Sequence, residues 1–236
     1  MGPAGDSIEY DPNTMLLAEE AIPGKEYSVE CICGAQNIWP VQVHDKVIIT
    51  EKSFAVHENL LVTPPVTLTA QQTEEMKDYA ARCVRTLGLK NCVCHVEIRL
   101  SRDGKPVLIE VNPRVGGADI KRSLQQATGR SFEQIVLELA LGQDPFRHFK
   151  TVKKAPWHGM ACFFTDKSGV VSATGSHGQL ASLPGIISIT ENVAPGDYVG
   201  GDFEEMFAMS VWFSGASWQE LSDTYMKMKS VVRYHL

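Results

Sequence analysis

Four segments of the chain are predicted to be helices, and two of them, residues 69–88 and the segment from Ser217 onwards, have apolar residues at helical spacing. In residues 69–88 the apolar positions form a single stripe along one helix (Met76, Tyr79, Ala80, Cys83, Val84 and Leu87). Thr69 and Gln72 form a capping-box pattern at its start, and Gly88 is typical of a helix end. The stripe is expected to face a core. Further helices are predicted over residues 118–128, from Ser131 to Gly142, and from Ser217 onwards.

Strand-like segments alternate with these helices. The pattern predicts strands over residues 15–22, 26–33, 41–49, 54–61, 158–165 and 170–174, the last two joined by a turn at 166–169. Helices interleaved with strands favour an α+β layer over a helical bundle. A change of composition near residues 150–156 divides the chain into predicted domains 1–150 and 151–236.

The segment from His95 to Gly117 is predicted to be a β-hairpin. Asp103-Gly104 is typical of a two-residue type I′ turn. The register that follows from this turn places Glu97 directly opposite Glu110. The apolar residues then pair on the other face (Leu100 with Val107, Ile98 with Ile109, and Val96 with Val111).

Two opposed carboxylates repel each other unless a cation lies between them. Mg²⁺ takes hard oxygen ligands and often binds substrate phosphates as well. Asn112 follows with an amide oxygen, and Arg114 with a guanidinium suited to phosphate. The residues therefore indicate a site for a metal and a nucleotide phosphate. The alternative is a solvated hairpin face on which Arg99 and Lys105 screen the two glutamates.

This hairpin resembles the second metal-ligand strand pair of the ATP-grasp superfamily, whose motif ends in Glu-x-Asn-Pro-Arg. Glu97 matches the first strand, and Glu110, Asn112 and Arg114 match the second. The Gly116-Gly117 ending resembles the L-amino-acid ligase and dipeptide synthetase branch more than the other branches of the superfamily. The resemblance implies that Glu97, Glu110 and Asn112 bind Mg²⁺ or Mn²⁺. It also implies a catalytic Arg114 that holds either the γ-phosphate or an acyl-phosphate.

The same resemblance implies an adenine-binding hinge near the N-terminus. Glu20 and Ile22 would lie at this hinge, with Ile22 near the base, and Glu26 would bind the ribose hydroxyls. The alternative is that Glu20 and Glu26 are ordinary exposed residues.

The implied fold is α+β. It consists of an ATP-grasp C-terminal subdomain, an antiparallel sheet with packed helices, followed by a small C-terminal α/β subdomain. The implied function is an ATP-dependent carboxylate–amine ligase that forms an amide or peptide bond through an acyl-phosphate. Its small-molecule substrates would be a carboxylate and an amine, with amino acids among the candidates. The alternatives are an enzyme like biotin carboxylase or carbamoyl-phosphate synthetase, and a non-catalytic nucleotide-binding remnant.

The resemblance covers the chain but corresponds only to the C-terminal half of an ATP-grasp enzyme. No Gly-rich phosphate loop precedes Glu19. We therefore expect a fragment, a truncated reading frame or one subunit of a split enzyme. A missing N-terminal half or a partner chain would then be needed for turnover.

Composition limits the other function classes. The net charge is −6 and no basic run occurs, so nucleic acid binding is not predicted. No apolar stretch reaches the roughly 20 residues of a membrane span. The six cysteines lack a CxxC spacing and are expected to be buried, reduced thiols rather than a zinc site, which fits the cytoplasm (Cys31, Cys33, Cys83, Cys92, Cys94 and Cys162).

Overall fold

The computed structural model describes residues 14–16, 18–53, 55–148, 157–200 and 207–236. Its centre is an eight-stranded antiparallel sheet, formed by β1 (Lys25–Cys33), β2 (Ile38–Glu51), β3 (Val56–Thr63), β4 (Cys92–Leu100), β5 (Pro106–Asn112), β6 (Trp157–Phe163), β9 (Ile186–Glu191) and β11 (Met209–Gly215). The strands lie side by side in the order β5-β4-β1-β2-β3-β6-β11-β9. Two small ribbons pair β7 (Ser168–Val170) with β10 (Tyr198–Gly200), and β8 (Ala173–Thr174) with β12 (Tyr234–His235).

Helices cover both faces of this sheet. They are α1 (Ala70–Thr86), α2 (Ile120–Thr128), α3 (Phe132–Ala140), α4 (His177–Ala181) and α5 (Trp218–Val231). A short 3₁₀ helix spans Pro145–His148. None of the helices in the described ranges is long and apolar enough to cross a membrane.

The predicted apolar stripe of α1 is confirmed except at Leu87, which follows the last turn of the helix and is 58% exposed. Met76, Ala80 and Val84 are buried against the alternate residues of β1 and β4 that share one sheet face. Thr69 caps this helix, with both hydrogen bonds of the capping box to Gln72 present. An amphipathic helix therefore packs its apolar side on the apolar face of the sheet, which is the layer arrangement of the α+β class.

Different helices pack on the two ends of the sheet. Helix α5 packs Leu221, Tyr225 and Met228 onto β6 and β11, on the same side as α1. Helices α2 and α3 cover part of the opposite face, where Leu124 and Ile135 contact β1 and β4. The rest of that face carries the polar site described below.

The hairpin register is confirmed at the glutamates and wrong near the turn. Ser101 and Lys105 close a three-residue loop in which Gly104 has φ of +78°, so the turn is not the predicted two-residue type. This shifts the pairing so that Ile98 faces Leu108. The bulge at Ile109 restores the register, and the opposed pairs beyond it are those predicted (Glu97 with Glu110, Val96 with Val111).

Two other strand predictions are wrong. The described residues of 14–24 form no strand, although the pattern at 15–22 predicts one. Residues 170–174 do not pair with β6, because β3 and β11 already occupy both edges of β6.

The predicted boundary between residues 150 and 151 lies outside the described residues. The pairing of β3 with β6 joins strands from both sides of that boundary into one sheet. The division into domains 1–150 and 151–236 stays a prediction.

Candidate metal and nucleotide site

The site lies on the sheet face opposite α1 and follows from the strand period of two. Tyr27, Val29 and Cys31 face the core, so the residues between them point the other way. The neighbouring strands place polar residues beside them in register. That polar face includes Glu26, Ser28 and Glu30 from β1, His44 and Lys46 from β2, and His95, Glu97 and Arg99 from β4.

Lys46 is the centre of this face. Its side chain is fully buried, and its ammonium contacts Glu26, Glu58 at 2.6 Å and Glu97 at 3.3 Å. Burial would lower the pKa of Lys46, but the charges of Glu58, Glu97 and Glu26 outweigh burial and raise it. Lys46 is therefore a permanent cation among three carboxylates.

Glu26 is also held by a second cation. Arg99 donates to Glu26 from Nε and Nη2, both at 3.0 Å. The same guanidinium donates through Nη1 to the carbonyl of Ile22 at 2.7 Å. Arg99 thus ties the segment before β1 to the carboxylate predicted to bind ribose.

His95 connects the site to the buried Glu30. Its Nδ1 contacts Glu30 and its Nε2 lies 3.0 Å from Glu97. Burial would lower the pKa of His95, but the hydrogen bonds to Glu30 and Glu97 raise it to about 9. The protonated ring therefore donates to both carboxylates at neutral pH.

Gly116 packs directly on this histidine. A Cβ at this position would lie 2.7 Å from Nδ1 of His95 and 2.6 Å from Ile120. The Gly116 amide also donates to Glu30 at 3.3 Å. Gly116 therefore allows close approach to His95 of the same chain. Gly117 has open space around its Cβ position.

The predicted metal ligands lie together at the edge of the sheet. Glu97 faces Glu110, and Asn112 follows two residues later on β5. Asn112 donates to Glu110 at 2.6 Å. Burial would raise the pKa of Glu97, but His95 and Lys46 lower it to about 2, so this carboxylate is ionised. Opposed carboxylates with an adjacent amide are hard oxygen donors, and this donor set fits Mg²⁺.

Buried polar atoms between the strands also fit a polar ligand. In the register Ser28 lies between Glu97 and His44. Ser28 Oγ and His44 Nδ1 are buried and have no hydrogen-bond partner among the described residues. Nε2 of His44 lies 2.8 Å from Ser123 on α2, so that helix closes one side of the face.

The remaining predicted residues lie at the margins. Arg114 is exposed and donates to the carbonyl of Val115 at 3.0 Å. Glu20 is exposed in the irregular segment before β1, and Ile22 is half-buried there. Lys121 is exposed, and Arg122 pairs with Asp119 at 2.8 Å.

Sequence reasoning missed Lys46, Glu58, His95 and Glu30. Glu30 gave a signal, because it continues the period-two series of Glu26 inside an apolar strand. Lys46 gave another, as part of a polar run between valines in a long strand. Both are unusual positions for charged residues, which are seldom fully buried unless they are paired.

Comparisons with known proteins identify a domain in this chain. Residues 7–122 match the model of the ATP-grasp domain. This part of the chain belongs to the ATP-grasp domain family. The chain is 32% identical over 151 residues to a carbamoyl phosphate synthase large chain of Kocuria rhizophila, an alignment that covers 59% of this chain and 12% of that protein.

Solved ATP-grasp structures share the fold. An L-amino acid ligase from Bacillus licheniformis has a TM-score of 0.80 at 19% identity, and the match covers 91% of this chain and 52% of that one. A biotin carboxylase domain from Hydrogenobacter thermophilus, in complex with MgADP and bicarbonate, has a TM-score of 0.68 at 12% identity, covering 89% of this chain and 46% of that one. The chain therefore spans about half the length of these solved neighbours and about an eighth of the length of the curated relative.

Proposed function

We propose that this chain supplies the metal-binding half of the active site of an ATP-dependent ligase that forms C–N bonds. The observation that carries the proposal is the opposition of Glu97 and Glu110 across β4 and β5, followed by Asn112. In this proposal the three side chains hold Mg²⁺ or Mn²⁺. The metal would neutralise the phosphate charge of ATP while a substrate carboxylate attacks the γ-phosphate, which would form an acyl-phosphate and release ADP.

The residues around the metal ligands have separate roles in this reaction. Lys46 and His95 keep Glu97 ionised and oriented, which supports metal binding at neutral pH. Glu26 would accept the ribose hydroxyls, and its contacts with Lys46 and Arg99 fix its position. Arg99 also holds the Ile22 carbonyl, so adenine at Glu20 and Ile22 would be aligned with ribose at Glu26.

Arg114 would act on the transferring group. It follows the metal ligands directly, and its guanidinium is exposed and donates to the Val115 carbonyl. An exposed guanidinium can reorient toward a phosphate, where charge-assisted hydrogen bonds are strongest. The acyl-phosphate would then be attacked by an amine, giving an amide and phosphate.

Two substrate classes have support. The fold likeness to the L-amino acid ligase and the Gly116-Gly117 ending favour joining amino acids. The 32% identity to a carbamoyl phosphate synthase favours bicarbonate as the activated acid. We favour the amino-acid reaction, performed in the cytoplasm together with a segment or partner chain that supplies the N-terminal half of the site.

Calorimetry of Mg²⁺-ADP and Mg²⁺-ATP binding tests the proposed site. The expected result is metal-dependent binding that weakens by more than about 10-fold in Glu110→Gln, since even outer-shell changes alter metal affinity 10- to 100-fold. Glu74→Gln is the matched control, because Glu74 is an exposed residue of α1 on the opposite face. Equal affinities in Glu110→Gln and the wild type would remove Glu110 from the proposed site.

The substrate class is tested by ADP release from protein purified from its native source, which retains any accompanying segment or subunit. Release that depends on pairs of amino acids supports the ligase proposal. Release that depends on bicarbonate without amino acids would replace it with the carbamoyl phosphate synthase type.

A further inference from the structure

Three cysteines meet on the α1 side of the sheet, on the face opposite the nucleotide site. Cys33 ends β1, and Cys92 begins β4 directly opposite it in the register. Cys94 lies two residues further along β4, so its side chain is on the same face as that of Cys92. Cys33 and Cys94 are buried, and Cys92 is half-buried.

The sulfur atoms are spaced as metal ligands are. Sγ of Cys94 lies 3.7 Å from Sγ of Cys33 and 3.6 Å from Sγ of Cys92. All three sulfurs lie within 4.8 Å of one another. A tetrahedral Zn²⁺ with Zn–S bonds of 2.3 Å holds its sulfurs about 3.8 Å apart. The triad therefore needs little movement to bind such an ion.

The surroundings also suit a soft cation. The three cysteines belong to the apolar core beneath α1, against which partly buried apolar residues such as Ile38 and Leu89 also pack. The hydrogen bond with Cys33 and burial raise the pKa of Cys94, and burial raises the pKa of Cys92 to about 11. The thiols of Cys92 and Cys94 are therefore protonated in the metal-free chain. Cys92 is partly exposed, which gives an ion a path from solvent.

We propose that Cys33, Cys92 and Cys94 form a binding site for a thiophilic divalent cation such as Zn²⁺. Binding forms three metal–sulfur bonds and releases three protons to solvent, and water fills the fourth tetrahedral position. The site is structural: it links the end of β1 to the start of β4 beneath α1. It is separate from the Mg²⁺ site, whose ligands are oxygens on the other face.

The spacing of the cysteines in the sequence does not predict this site, because its ligands come from two strands. Cys92 and Cys94 are separated by one residue, which is not a zinc-ribbon spacing, and Cys33 is distant in the chain. Only the antiparallel pairing of β1 with β4 brings the third sulfur to the other two. The six cysteines are free and four of them are buried, as expected, and the proposal adds a metal to three of the six.

Titration of the reduced, metal-free chain with Co²⁺, a spectroscopic substitute for Zn²⁺, tests the proposal. The expected result is a sulfur-to-cobalt charge-transfer band that saturates at one equivalent and disappears when Zn²⁺ is added. Cys92→Ser should lose the band, and this half-buried position offers the mildest substitution of the three. Cys162→Ser is the matched control, because Cys162 is a buried cysteine of β6 outside the triad, and it should keep the band.

Thermal unfolding gives a second readout that does not depend on the band. Zn²⁺ should raise the melting temperature of the wild type and of Cys162→Ser and leave that of Cys92→Ser unchanged, because a ligand stabilises only a fold that binds it. A wild-type chain without the band, or a band that persists in folded Cys92→Ser, would overturn the proposal.

Discussion

Among the described residues, Lys46 is the only cation that contacts Glu26, Glu58 and Glu97 together, and replacing it with methionine removes that charge. The ammonium lies 2.6 Å from Glu58 and 3.3 Å from Glu97, and it contacts Glu26 as well. Methionine preserves the length and most of the packing of the side chain. The perturbation is therefore mainly electrostatic.

The magnitude follows from burial. The side chain of Lys46 is fully buried, while those of Glu26 and Glu97 are 12% and 19% exposed. Removing one partner of a buried ion pair costs about 3–5 kcal/mol, because the remaining charges are left uncompensated. At about 2–4 °C per kcal/mol for a chain of this size, the melting temperature should fall by about 6–20 °C.

Urea unfolding followed by circular dichroism measures this loss. Lys77→Met is the matched control, because Lys77 forms a 2.9 Å pair with the exposed Glu74 on α1. Such surface pairs contribute at most about 1 kcal/mol. Adding Glu97→Gln to Lys46→Met should recover part of the lost stability, since coupled pairs interact by about 0.5–3 kcal/mol.

The carboxylates left by Lys46→Met should also become a cation site. Oxygens of Glu26, Glu58 and Glu97 lie within 4.8 Å of one another, and the ammonium now occupies the position between them. Mg²⁺ should therefore stabilise Lys46→Met more than it stabilises the wild type. A variant as stable as the wild type without added cations would refute the reasoning that Lys46 balances the three charges.

Two other predictions test neighbouring parts of the site. Gly116→Ala should destabilise the chain by about 1–3 kcal/mol in urea unfolding, because the new Cβ would lie 2.7 Å from His95. Gly117→Ala should have little effect, because the space around its Cβ position is open. Equal losses of stability in the two variants would contradict this reasoning. Burial, with the nearby charges, lowers the pKa of His44 from 6.5 to about 3, so only the unfolded chain takes up this proton as the pH falls from 6.5 toward 3. Between these pH values the free energy of unfolding should fall by up to about 1.4 kcal/mol for each unit by which the pH is lowered. His44→Gln should reduce this pH dependence, whereas His177→Gln, at an exposed histidine, should leave it unchanged. An unchanged pH dependence in His44→Gln would contradict the lowered pKa of His44.

Local patterns in the sequence determined much of this fold. The stripe of α1 and its cap at Thr69 depend on residues within one helix, so spacing alone predicted them. The opposition of Glu97 and Glu110 was predicted as well. It survived an incorrect turn only because the bulge at Ile109 restored the register after the three-residue loop at Gly104.

Only the tertiary structure decided which residues complete the site. Lys46 reaches Glu97 because β2 and β4 lie on either side of β1, and His95 reaches Glu30 because β4 pairs with β1. The same pairing of β1 with β4 creates the cysteine triad. The choice of partner strand depends on how the whole sheet buries its apolar faces and not on neighbours in the chain. Sequence determines which face a side chain takes, through the strand period, whereas the order of the strands determines what that side chain meets.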